Sequence, residues 1–77
     1  MFVARASELL AATWYVRGDL KTALLHYDTA LALHTRNKDR DGMADVITNM
    51  AAMRSFLGER DEALRLYHEG LRIHEEI

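Results

Sequence analysis

Apolar residues recur at three- and four-residue steps, the period of one face of a helix, along four successive stretches of this chain. In the first, Phe2, Ala6, Leu9, Leu10, Thr13 and Trp14 form a stripe on a helix predicted over residues 3–16. Arg17-Gly18 closes it, because glycine accepts the left-handed conformation that commonly ends a helix. Asp19 then stands where a carboxylate caps the next helix and faces its positive end. That helix is predicted from Leu20 to Thr35, with Leu20, Ala23, Leu24, Tyr27, Ala30, Leu31 and Leu33 inward. Small Ala23 and Ala30 flank the Tyr27 ring, which suits close helix–helix approach. Residues 36–42, polar apart from Gly42, read as the one linker. A third helix, starting near Asp41 or Gly42 and ending at Leu57-Gly58, turns Met43, Val46, Ile47, Met50, Ala51 and Met53 inward. The fourth runs from about Arg60 to Glu75, with Ala63, Leu64, Tyr67, Leu71 and Ile73 inside and Asp61 and Glu62 in its first turn, as the dipole prefers. Glu75 and Glu76 sit at the negative end of this helix and oppose it.

The chain says the same thing twice. The glycine, alanine, tyrosine and leucine spacing of Gly18–Leu33 returns in Gly58–Ile73, a period of 40 residues. Proline is absent and alanine and leucine are plentiful, which favours helix throughout. The expected fold is all-α: a single domain over 1–77, made of two helix-turn-helix copies at about 3–37 and 42–76.

These landmarks resemble the tetratricopeptide repeat over almost the whole chain. The first copy supplies Leu10-Ala11, Trp14, Gly18, Ala23, Tyr27 and Ala30; the second supplies Met50-Ala51, Gly58, Ala63, Tyr67 and Gly70. The copies depart from the family pattern at Ser7, at Arg54 where an aromatic is usual, and at Thr35 where proline usually follows. The period exceeds the usual one of about 34 residues. With Asn49 before Met50-Ala51, and the Tyr67-His68-Glu69 run, this looks like the variant found in kinesin light chains and many bacterial regulatory proteins.

The resemblance implies four antiparallel helices as a piece of an α-solenoid, with a concave face lined by the first helix of each copy. Carried over position by position, that lining is Arg5, Glu8, Ala12 and Tyr15, then Asp45, Thr48, Asn49, Ala52 and Ser55. In the resembling variant, an asparagine matching Asn49 grips the backbone of an extended peptide, its amide offering both a donor and an acceptor. Asn49 is otherwise a solvated helix residue. Leu9 fills the matching place in the first copy, so there is no asparagine ladder. Some relatives clamp the carboxylate end of chaperone tails with lysine and asparagine. Glu8 and Ala12 stand at two of those places, so that clamp is not expected here.

Charge and composition narrow the remaining chemistry. The formal net charge of −2 gives no reason to expect nucleic acid or an anionic membrane as partner. Hydrophobic residues make up 49% and charged ones 29%, an ordinary globular balance that leaves room for a core. There is no cysteine, hence no disulfide framework and no thiolate zinc site. The run from Leu9 to Val16 is too short to cross a bilayer. Arg5 and Glu8 interrupt the amino-terminal segment, so no signal peptide is expected and the cytoplasm is the expected location.

The four histidines give no metal spacing. His26 and His34 are two helical turns apart, and His68 and His74 point to different faces. No phosphate-cradling glycine loop or nucleophile motif surrounds Ser7 or Ser55, so neither catalysis nor a cofactor is expected. Met43, Met50 and Met53 read as packing between the copies.

The leading expectation is a scaffold for a protein or peptide partner, belonging to a longer array, because such stacks need about three repeats. The alternative is a small homo-oligomeric structural protein with no peptide ligand. It would self-associate through the uncovered fourth helix, or by straightening residues 35–42 and exchanging hairpins between two chains.

Overall fold

The computed structural model describes residues 4–76. It contains four helices, α1 (Ala4–Val16), α2 (Leu20–Arg36), α3 (Arg40–Phe56) and α4 (Arg60–Glu76), and no strand among those residues. Substantial packing joins each helix to its chain neighbours: α1 to α2, α2 to α3 and α3 to α4. A closed bundle would also seat α4 on α1. The array instead stays open, about 30 × 29 × 14 Å, as in a short solenoid.

Three turns of one design set this path. Each carries one residue in the left-handed region: Gly18 at φ 86°, Lys38 at 57° and Gly58 at 83°. The N–H of that residue donates to the carbonyl three residues back, from Gly18 to Tyr15 (2.9 Å), Lys38 to Thr35 (3.1 Å) and Gly58 to Ser55 (3.0 Å). The next N–H reaches five back, from Asp19 to Trp14 (2.9 Å), Asp39 to His34 (2.9 Å) and Glu59 to Arg54 (2.8 Å). Paired bonds of this kind satisfy carbonyls that a helix end would otherwise leave open.

The linker expected over 36–42 is therefore only the turn 37–39. Asp39 begins α3 earlier than expected by accepting from Gly42 N at 3.0 Å. Asp19 does the same for α2, accepting from Thr22 N at 3.1 Å and from the Thr22 hydroxyl at 2.8 Å. These two bonds, the backbone one first, hold the Asp19 carboxyl below its ordinary pKa.

The core lies on both sides of the α2–α3 seam. Ala23, Leu24, Tyr27 and Ala30 of α2 are buried, as are Ala44, Val46, Ile47, Met50, Ala51 and Met53 of α3. Leu20, Leu31, Leu33 and Met43 pack against them at partial burial. On these two helices the expected inner faces hold.

The outer helices differ from expectation. On α1 the buried residues are Ala4 and Ala11, with Trp14 half-buried, while Ala6, Leu9, Leu10 and Thr13 are exposed. Phe2 lies outside the described residues. On α4 the buried residues are Ala63, Leu66, Gly70 and Ile73, while Leu64, Tyr67 and Leu71 are exposed. Each of these helices packs substantially on one neighbour among the described residues. Only the face toward that neighbour is covered.

Candidate functional site

Helices α1 and α3 stand on the same side of the array and flank an open cleft of about 660 Å³. Its floor is the end of α2 and the turn after it. Arg5, Glu8 and Leu9 enter from α1, His34 from α2, and Asp41 and Asp45 from α3. At the opposite ends of α1 and α3, the rings of Tyr15 and Phe56 stack with centroids 6.2 Å apart and planes at 27°. Aromatic pairs favour this offset arrangement. The surface thus has an aromatic end and an acidic end, the latter with Glu8, Asp39, Asp41 and Asp45 set against Arg5 and His34.

His34 fixes the acidic end. Its Nε2 lies 3.1 Å from Glu8 Oε2 and its Nδ1 3.2 Å from Asp39 Oδ2, with only 12% of the side chain exposed. The Nε2 contact with Glu8 has hydrogen-bond geometry, and the Asp39 carboxylate lies close to the other ring nitrogen. One side chain of α2 thereby ties α1 to the start of α3. The fit requires Gly42, because a Cβ there would overlap the His34 ring. The two carboxylates approach opposite edges of the ring and do not converge on a point between them. Among the described residues no group of three or more His, Cys, Asp or Glu side chains is arranged to hold a metal ion.

Of the residues expected to line a concave face, the cleft brings together Arg5, Glu8 and Asp45. Glu8 is already engaged by His34, and Asp45 stands 3.9 Å from His74. Tyr15 lies farther along, against Phe56. Ala12, Asn49 and Ser55 are exposed and Ala52 is half-buried, all outside the cleft itself. Thr48 turns elsewhere: its hydroxyl donates back to Ala44 O at 2.9 Å and lies against α4 at Gly70. Residues of this surface outside the lining expected from the sequence pattern include Leu9, His34, Asn37, Asp39, Asp41 and Phe56. For Phe56 a signal existed, since it lies four residues beyond Ala52 on the face already chosen.

A family model for the tetratricopeptide repeat matches residues 2–76, nearly the whole chain. The chain belongs to the tetratricopeptide-repeat family. The open order of helices is the one this family uses, and tetratricopeptide repeats generally mediate protein–protein interaction. No curated protein and no solved structure matches the chain. No described helix of this tetratricopeptide-repeat protein is long and apolar enough to cross a membrane. The position of its missing aromatic, Arg54, is half-buried; its Nη1 donates to Glu59 Oε1 at 2.7 Å while its buried Nε has no partner.

Proposed function

We propose that the chain is a non-catalytic scaffold whose surface between α1 and α3 takes an extended segment of another protein. The observation that carries this is the cleft with its acidic end, continued by the Tyr15–Phe56 pair at the other end of the same two helices. A partner suited to it places a lysine or arginine among Glu8, Asp41 and Asp45 and lays an apolar or aromatic side chain by Tyr15. Asn49, exposed between the two ends, supplies a donor and an acceptor for the partner's backbone. A formal charge of −2 supports neither nucleic acid nor a membrane as the occupant. A cysteine-free chain suits the reducing cytoplasm.

The test is selection of peptides from a random library on the protein, then titration of the recovered peptide by calorimetry. Basic peptides should be enriched, Asp45→Lys should weaken them about tenfold or more, and added salt should do the same. Unchanged affinity in Asp45→Lys, Asn49→Ala and Tyr15→Ala would remove the groove from consideration.

A second reading, a homo-oligomer formed by hairpin exchange, draws support from Lys38. A non-glycine residue at φ 57° is strained, and straightening residues 35–42 into one long helix would relieve that strain. Light scattering decides it: Lys38→Gly should lower the dimer fraction and Lys38→Ala raise it, and equal fractions in both would end the idea.

A further inference from the structure

The two copies allow each residue to be compared with its counterpart 40 positions away, and the largest differences in burial fall on two surfaces. Leu24 and Tyr27 of α2 are 5% and 6% exposed, whereas their counterparts Leu64 and Tyr67 on α4 are 52% and 42% exposed. Leu31 packs on the core, and its counterpart Leu71 is 56% exposed. The same holds in reverse for the other helix of each copy. Met50 of α3 is 5% exposed, and its counterpart Leu10 on α1 is 50% exposed. Val46 and Met53 are buried, while Ala6 and Thr13 stand in solvent.

One contact accounts for both sets: α2 packs on α3, and nothing equivalent covers α4 or the outer side of α1 among the described residues. The buried members of these pairs are therefore the two sides of the α2–α3 seam. Their exposed counterparts lie at opposite ends of the array. Among the described residues, one half of a seam lies on α1, here called the head, and the other half on α4, here called the tail.

We propose that copies of this chain associate head to tail, the outer face of α4 in one copy receiving the outer face of α1 in the next, in the register that α2 and α3 adopt within the chain. The occupant follows from the chain itself. The Leu64–Tyr67–Leu71 face repeats a surface that accepts a helix of the α3 type, and α1 is the helix equivalent to α3. Because the two faces differ, the contact is heterologous. Repeating it does not close on a dimer but extends the stack. The α1 side is the thinner half, with Ala6 where α3 has Val46 and Thr13 where it has Met53. Less apolar area is buried there, so the joint is weaker than the seam inside the chain and grows with concentration. These faces are separate from the cleft between α1 and α3, so the proposal stands whether or not that cleft takes a peptide.

Sedimentation velocity over a concentration series tests this on the 77-residue protein. The weight-average mass should rise past the dimer without a plateau. Tyr67→Glu blocks the tail and Leu10→Glu the head, so each variant alone should remain monomeric. An equimolar mixture of the two should form a heterodimer and nothing larger, because one intact head and one intact tail remain. Far-UV circular dichroism confirms that each variant folds; Leu64→Lys and Ala6→Glu probe the same faces should either fail. A monomer at every concentration, a wild-type plateau at the dimer, or a mixture that stays monomeric would each overturn the proposal. A hairpin-exchanged dimer would show that plateau and survive Tyr67→Glu.

Discussion

Lys38 offers a direct test of how the turns are held. It occupies the left-handed place that glycine fills at Gly18 and Gly58. For a residue with a Cβ that conformation costs about 1–2 kcal/mol. Glycine escapes the cost but loses about 0.5–1 kcal/mol more chain entropy on folding. Lys38→Gly should therefore stabilise the protein by about 0.5–1 kcal/mol. In a domain of this size that raises Tm by roughly 2–8 °C. Lys38→Asn should recover part of the gain, since asparagine tolerates the left-handed region.

Gly18→Ala and Gly58→Ala are the reverse experiments, and they are unusually clean. A Cβ built at either position meets no atom within 4 Å, so any loss comes from the backbone alone. Each should cost about 0.5–1 kcal/mol. The assay is thermal and urea unfolding followed by circular dichroism, with unchanged urea m-values showing that the same surface is exposed. Protein concentration is held fixed and low, because association would itself raise Tm. If Lys38→Gly is neutral or destabilising while Gly18→Ala and Gly58→Ala are costly, the three turns are not equivalent and the strain argument for Lys38 fails.

Gly42→Ala runs against ordinary helix propensity. Alanine should gain about 1 kcal/mol in a helix, yet its Cβ overlaps the His34 ring. Displacing that ring breaks its contacts with Glu8 and Asp39, and the net loss is about 1–2 kcal/mol; in a His34→Ala background, urea unfolding should show the same substitution stabilising. Arg54→Leu should stabilise by about 1 kcal/mol in the same assay: the buried Nε without a partner costs more than the exposed Glu59 pair returns. Acid should weaken the fold through Asp19 and Glu62, held below their ordinary values of 3.8 and 4.5 by hydrogen bonds from Thr22 and Arg65. A lowered folded value means a contribution complete above the ordinary value and lost as pH falls through the folded one. Tm should therefore hold down to roughly pH 5 and then drop, and Asp19→Asn, which still caps the helix, should flatten part of that slope.

Much of the fold was legible because its signals are local. Gly18 and Gly58 mark two of the turns, Asp19 caps where its position requires, and the stripes on α2 and α3 point inward as their periodicity demands. The third turn was harder to see, because lysine carries no left-handed preference. Its signal was positional: 18, 38 and 58 are evenly spaced, each followed by a carboxylate. The cleft was half legible. Counting along α1 and α3 finds Arg5, Glu8 and Asp45, but His34 enters from a third helix, and no pattern within α1 or α3 reports what α2 brings beneath them.

The outer helices fail for a different reason. The stripe at Ala6, Leu10 and Thr13 is real, and so is the one at Leu64, Tyr67 and Leu71, but periodicity fixes only the direction of a face, not whether anything lies against it. Inside the array α2 and α3 are each packed on two sides, so both their hairpin face and their stacking face are buried. At the ends only the hairpin face is covered, and on α1 that face is Ala4 and Ala11, small residues that contribute little to any hydrophobic pattern. Tyr27 and Tyr67 occupy the same place in the same motif, yet one is buried and the other 42% exposed. Tyr27 lies on a helix packed on two sides and Tyr67 on one packed on a single side, and supplying the second side from α1 of another copy should bury Tyr67 as Tyr27 is buried.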